Sequence, residues 1–221
     1  MKYFDFANAP AAGQPERLVV AIDVSPSMED TDWPPSRLAA AIAAVIALIQ
    51  RKCRIAPADE VAIVTYGSTA SVLCPLLTVG QRAENMIGLL DSIETHGGTN
   101  ITAALTEAGR VLSYAGRSGW LDVLLPPAIG VSHASARRVI LLTDGEFNTG
   151  GSPLSVALAL KKSGVCIDCV GIGGDPSAVN EADLRTIASR HADGVTPRYT
   201  FIGDKGGLIK KFEELAGRIS R

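Results

Sequence analysis

Two carboxylates and three hydroxyls are grouped in this sequence in a way that could hold a cation. Asp23, Ser25 and Ser27 lie in "DVSPS", directly after the apolar run "RLVVAI". Thr99 follows two glycines in "HGGTNI", and Asp144 closes "RRVILLTD". These groups supply oxygen alone. Oxygen-only donors select a hard cation, Mg²⁺, Mn²⁺ or Ca²⁺, over Zn²⁺ or Cu²⁺. Mg²⁺ takes six ligands at about 2.0–2.1 Å and usually keeps some water. Neutral hydroxyls beside two carboxylates leave such a cation electrophilic, ready to accept a carboxylate from another molecule.

Residues so far apart in the chain need a fold to gather them. "RLVVAIDVS" (17–25) and "RRVILLTD" are continuous apolar runs, as in central parallel strands buried on both faces. Residues 36–52 read as a helix apolar nearly all round, which should lie flat on a sheet. "EVAIVTYGS" and "ASVLCPLLT" read as an antiparallel hairpin. "RAENMIGLLDSI", "NITAALTEAGRVLSYAG", "SPLSVALALKKSG", "NEADLRTIASRHA" and "GLIKKFEELAGRI" read as helices, and "VCIDCVGIG" and "RYTFIG" as strands. This alternation predicts an α/β fold: a Rossmann-like, doubly wound, mostly parallel central sheet with one antiparallel edge strand and helices on both faces. Ligands of such sheets bind beyond the carboxyl ends of the strands, where strand order reverses. Asp23 and Asp144 meet there if their strands are neighbours.

"DVSPS", "GGT" and "TDG" resemble the von Willebrand factor type A domain and its metal-ion-dependent adhesion site. The resemblance covers roughly residues 17–220, with 1–16 as an N-terminal extension and the domain over 17–221. It implies that Asp23, Ser25, Ser27, Thr99 and Asp144 form the metal site. Ser25 and Ser27 are then direct ligands, and Thr99 and Asp144 exchange between direct and water-mediated contact. An exposed Asp or Glu of a protein partner completes the shell, and the movement couples to the last helix, here 207–219. Family members of this kind often act in larger assemblies, some with AAA-type ATPases. Two stretches depart from the pattern, "EDTDWPPS" (29–36) and residues 117–136. The first should rim the metal face. Its acids are either a solvated loop or a filter on ligand charge, with Trp33 as an aromatic anchor for a partner.

The totals narrow the function. The 221 residues are 47% hydrophobic and 20% charged, which suits one globular α/β domain. A net charge of −2 implies no basic face for nucleic acid. The longest apolar stretch, 38–49, is too short to span a membrane, which needs roughly 20 residues. The start shows no signal-peptide pattern, so a cytoplasmic location is expected. Cys166 and Cys169 in "CIDC" fall in a strand, where residues three apart point to opposite faces, so buried inert thiols are expected. "GIGGDP" departs from the dinucleotide fingerprint and reads as a turn.

Two functions follow. One is a non-catalytic, divalent-metal-dependent module that binds an acidic side chain of a partner. The alternative is an Mg²⁺-dependent phosphohydrolase or phosphotransferase with Asp23 as nucleophile. Against the alternative, Ser25 stands where many such enzymes keep a general acid, and no Lys or Arg stands in a motif beside Asp144.

Overall fold

Aliphatic and β-branched runs build the central strands of the computed structural model, which describes residues 15–114, 135–145, 149–176 and 179–218. The strands are β1 Arg17–Asp23, β2 Glu60–Tyr66, β3 Ala70–Thr78, β4 Arg137–Thr143, β5 Val165–Ile172 and β6 Tyr199–Ile202. Among the described residues they form one sheet in the order β3-β2-β1-β4-β5-β6. Every pairing is parallel except that of β2 with β3, the expected hairpin at one edge. The helices are α1 Arg37–Ile55, α2 Val79–Leu90, α3 Ile101–Tyr114, α4 Leu154–Lys162, α5 Glu181–Ile187 and α6 Lys205–Leu215.

Side chains of a strand alternate between faces, and β1 serves two cores in this way. Leu18, Val20 and Ile22 pack under α1, α2 and α6, with Val45, Leu48, Met86 and Phe212. Val19 and Ala21 pack under α3, α4 and α5, with Leu105, Ala157 and Ile187. A strand buried on both faces has no polar side, which is why β1 reads as unbroken apolar sequence.

The order places β1 between β2 and β4, so successive connections leave β1 in opposite directions. That reversal opens a crevice at the carboxyl ends of β1 and β4, paired in register from Arg17 with Arg137 to Ile22 with Leu142. Both expected aspartates lie at this end.

Charges gather at the opposite end of the sheet. Lys52, on the sheet side of α1, is fully buried and donates to Glu16 and Asp59, each at 2.6 Å. Arg218 reaches the other oxygen of Asp59 at 2.9 Å. Arg138 on β4 pairs with Asp168 at 2.6 Å and donates to the carbonyls of Leu215 and Gly217 at the end of α6.

Several boundaries differ from expectation. α2 begins at Val79, before the expected start, because β3 runs straight into it. α5 stops at Ile187, since Ser189 and Arg198 pair through their backbones and pull the following residues into an extended turn. α6 covers Lys205–Leu215 rather than 207–219, with Asp204 capping the Gly207 amide at 2.9 Å. The segment 117–134, most of the second expected insertion, and Ile219 lie outside the described residues.

Candidate metal centre

Asp23 is the last residue of β1 and is fully buried. Its Oδ1 accepts the Ser25 amide at 2.9 Å, and its Oδ2 accepts the Thr143 hydroxyl at 2.7 Å. Beyond it the chain makes a short 3₁₀ turn, Pro26–Glu29, anchored by buried Met28. Proline suits the first position of such a turn, where an amide would lack a partner. The turn brings the Ser25 and Ser27 hydroxyl oxygens to 3.1 Å. Ser27 then donates to Asp144 Oδ1 at 2.8 Å, across 117 residues of sequence. Asp144 directly follows β4 and is itself buried.

Thr99 arrives on a loop stitched to two strand ends. The His96 amide donates to the Val24 carbonyl at 2.7 Å, and the Asn100 amide to the Gly67 carbonyl at 2.9 Å. At Gly67 a side-chain carbon would lie 2.2 Å from the His96 carbonyl oxygen, so only glycine permits the approach. Gly97 adopts φ 73°, a backbone that favours glycine. Pressed in this way, Thr99 is 2% exposed. His96 itself faces solvent and contacts the Glu94 carbonyl.

The electrostatics suit a cation. Among the described residues Asp23 makes no ion pair. Burial pushes its carboxyl up to about 6, against hydrogen bonds from Ser25 and Thr143, and the Asp144 charge adds to the rise. A buried unpaired carboxylate is costly, and a cation offsets that cost. Burial also raises Asp144, against Ser27 and Arg37. The oxygen spacing fits as well. An octahedral shell at about 2.05 Å has adjacent oxygens about 2.9 Å apart. The Ser25–Ser27 and Ser27–Asp144 separations, 3.1 and 2.8 Å, bracket that edge.

The structure adds a cation beside Asp144: Arg37, from the start of α1, donates through Nη1 to Asp144 Oδ2 at 3.1 Å. No local motif announces it, because the approach depends on how α1 leaves the 29–36 loop. Trp33 is no exposed anchor. It is 5% exposed and packs into the core with Met28 and α1, where its ring removes more apolar surface from water than a loop position would. The loop's acids are tied down rather than freely solvated. Glu29 accepts from Thr95, and Asp32 pairs with Arg37 through both oxygens. Thr143, which fixes Asp23, was also missed; its place directly before Asp144 at a strand end was the available signal.

Residues 18–146, more than half of the chain, match the sequence profile of the von Willebrand factor type A domain. This chain belongs to the von Willebrand factor type A domain family. Solved structures agree on the fold. A von Willebrand factor type A protein from Catenulispora acidiphila is 25% identical with a TM-score of 0.69, over 94% of this chain and 43% of that one. This domain therefore spans less than half of that protein. A conserved hypothetical protein BatB from Bacteroides thetaiotaomicron is 22% identical with a TM-score of 0.65, over 90% and 96% of the two chains. Proximal thread matrix protein 1 of the mussel byssus, in a structure with a zinc-occupied MIDAS motif, is 18% identical with a TM-score of 0.70, over 94% and 48%. No curated protein matches the chain.

The remaining motifs of this type A domain are structural. Cys166 and Cys169 are free thiols on β5. Burial pushes Cys166 up to about 11 and Cys169 higher still, with Asp168 adding to both. Asp168 between them is held by Arg138 and Arg198. Among the described residues no helix is long and apolar enough to cross a membrane.

Proposed function

We propose that this domain is a non-catalytic binding module that holds Mg²⁺, Mn²⁺ or Ca²⁺ through Asp23, Ser25, Ser27, Thr99 and Asp144 and recognises an acidic side chain of a protein partner. The observation that carries the reading is Asp23, a fully buried carboxylate without an ion pair among the described residues, beside hydroxyl and carboxylate oxygens at octahedral spacing. A bound divalent cation supplies the missing positive charge and an open coordination position. The chain's own residues do the rest. Thr143 and the Ser25 amide fix Asp23, and the 3₁₀ turn fixes both serines. The partner of this reading is a protein with an exposed Asp or Glu, either an AAA-type ATPase or a larger assembly, and its location is the cytoplasm.

Phosphoryl transfer is disfavoured on physical grounds. Arg37 is engaged by Asp30, Asp32 and Asp144 through Nη1 and Nη2, which leaves few of its donors to clamp a phosphoryl group. The deciding experiment is a pull-down from lysate with Mg²⁺ against EDTA, on wild type and Asp23→Asn. A partner retained only by wild type in Mg²⁺ is expected. Mg²⁺-dependent hydrolysis of p-nitrophenyl phosphate that is lost in Asp23→Asn would favour the enzyme instead.

A further inference from the structure

Arg37 occupies an unfavourable place for a cation. It is the first residue of α1, behind the Ser36 cap, and no acidic residue shares that first turn. The amino end of a helix carries partial positive charge, so an arginine there gains nothing from the helix dipole. Its stabilisation comes from outside the helix. Nε and Nη2 take both oxygens of Asp32 at 2.9 and 2.8 Å. Nη1 faces Asp144 Oδ2 at 3.1 Å and Asp30 Oδ2 at 3.3 Å. The side chain is only 12% exposed. A bidentate carboxylate fixes the plane of a guanidinium. Asp32 therefore aims Nη1 at Asp144, and through Asp30 and Asp32 the 29–36 loop orients this arginine.

The two oxygens of Asp144 are thereby divided. Oδ1 meets Ser27 within the cluster of candidate ligands, and Oδ2 is committed to Arg37. Two carboxylates would otherwise neutralise a divalent ion in full. Arg37 returns positive charge beside the more accessible of them. Asp30 and Asp32 are more exposed than Asp144, so solvent and salt weaken their compensation.

We propose that Arg37 is a positioning residue of the metal site: it holds Asp144 to one oxygen on the cation's side and opposes the cation with its own charge. The metal is then bound less tightly and stays under-neutralised, which favours an incoming carboxylate. The inference rests on the metal-binding reading above.

The test is Mn²⁺ alone, titrated by calorimetry into the full chain as wild type, Arg37→Gln and Arg37→Lys. Water-proton relaxation reports the exchangeable waters on the bound Mn²⁺. Gln removes the charge and releases Oδ2, so Mn²⁺ should bind roughly tenfold tighter, the size of one neighbouring-charge effect. It should also lose exchangeable water as Asp144 engages more fully. Lys keeps the charge and should stay within about threefold of wild type. A merely structural arginine predicts weaker binding in both variants. Gln binding no tighter than wild type, or Gln and Lys tightening alike, overturns the inference. If Gln does not fold, Arg37→Met is the neutral replacement. Mn²⁺ binding by the neutral variant but not by wild type supports the role of Arg37 while rejecting metal-dependent recognition by the native chain. Binding by neither rejects both.

Discussion

Asp23 ties stability to pH at a single carboxylate, and in the proposed function to the metal as well. Its ordinary value of 3.8 rises to about 6 in the fold, mainly through burial. Below about pH 4 it is protonated folded or unfolded and costs nothing. As pH rises through 6 the folded protein must hold a buried charge, and stability falls by about 3 kcal/mol at most. A divalent cation reverses that sign, because it binds only the ionised form. We expect metal affinity to fall about tenfold per pH unit below 6 and to level off above it. Calorimetric titration of Mn²⁺ between pH 5 and 8 measures this, and an affinity independent of pH would separate Asp23 from the metal. Asp23→Asn keeps the shape without the charge. In EDTA at pH 7 it should be more stable than wild type by about 1–2 kcal/mol, read from urea midpoints.

At the scale of elements, the far end of the sheet is held by charge. Lys52 joins Glu16 before β1 to Asp59 before β2, and Arg218 ties the end of α6 to the same carboxylate. Burial alone would raise Asp59. Hydrogen bonds from Lys52, the Glu16 amide and Arg218 outweigh it and hold the carboxyl below 3.8. A depressed carboxyl stabilises the fold above its unfolded value, and this is lost as pH falls through the folded one. Lys52→Met leaves Glu16 and Asp59 buried with only Arg138 and Arg218 to compensate them, and should cost about 3 kcal/mol at pH 7. The deficit should shrink below about pH 4, where carboxyls protonate. Urea melts of both proteins from pH 3 to 7 test the sign. Arg138 likewise grips the last carbonyls of α6. A slide of that helix, which the resemblance implied for ligand binding, must break both bonds. On β5, Cys166 and Cys169 should bind no zinc and form no disulfide. Elemental analysis of chelator-free protein, set against the double Cys→Ser variant, decides that expectation.

For the whole molecule, a cation that binds only the folded chain stabilises all of it. At a hundredfold excess over Kd this amounts to about 2.7 kcal/mol. For a domain of this size that raises Tm by roughly 5–10 °C. The shift should appear with Mg²⁺ or Mn²⁺ in scanning calorimetry and vanish in Asp23→Asn. It should be global, because the site joins β1, the 96–100 loop and the end of β4, elements on both sides of the switch point. A metal-independent Tm at millimolar Mg²⁺ and Mn²⁺ would mean that the oxygen cluster is structural.

The sequence by itself determined the sheet, because strands buried on both faces must be apolar throughout and hairpins carry local turn signals. It also determined the candidate ligands, since "DVSPS", "GGT" and "TDG" sit at strand ends or glycine loops, where side chains project past a sheet. Only the tertiary structure decided which charges meet. Lys52 closes the segment 36–52, which reads as a helix apolar nearly all round, and it is fully buried because Glu16 and Asp59 arrive from other elements to pair with it. Trp33 read as a surface residue of an acidic loop, yet the loop folds its ring into the core. Arg37 lay ten residues from "SPS" with no motif, and the exit angle of α1 brings it to Asp144, 107 residues away. Hydrophobic periodicity reports which face of an element is buried. The pairing of charges is a long-range contact, and it exists only once the elements have packed.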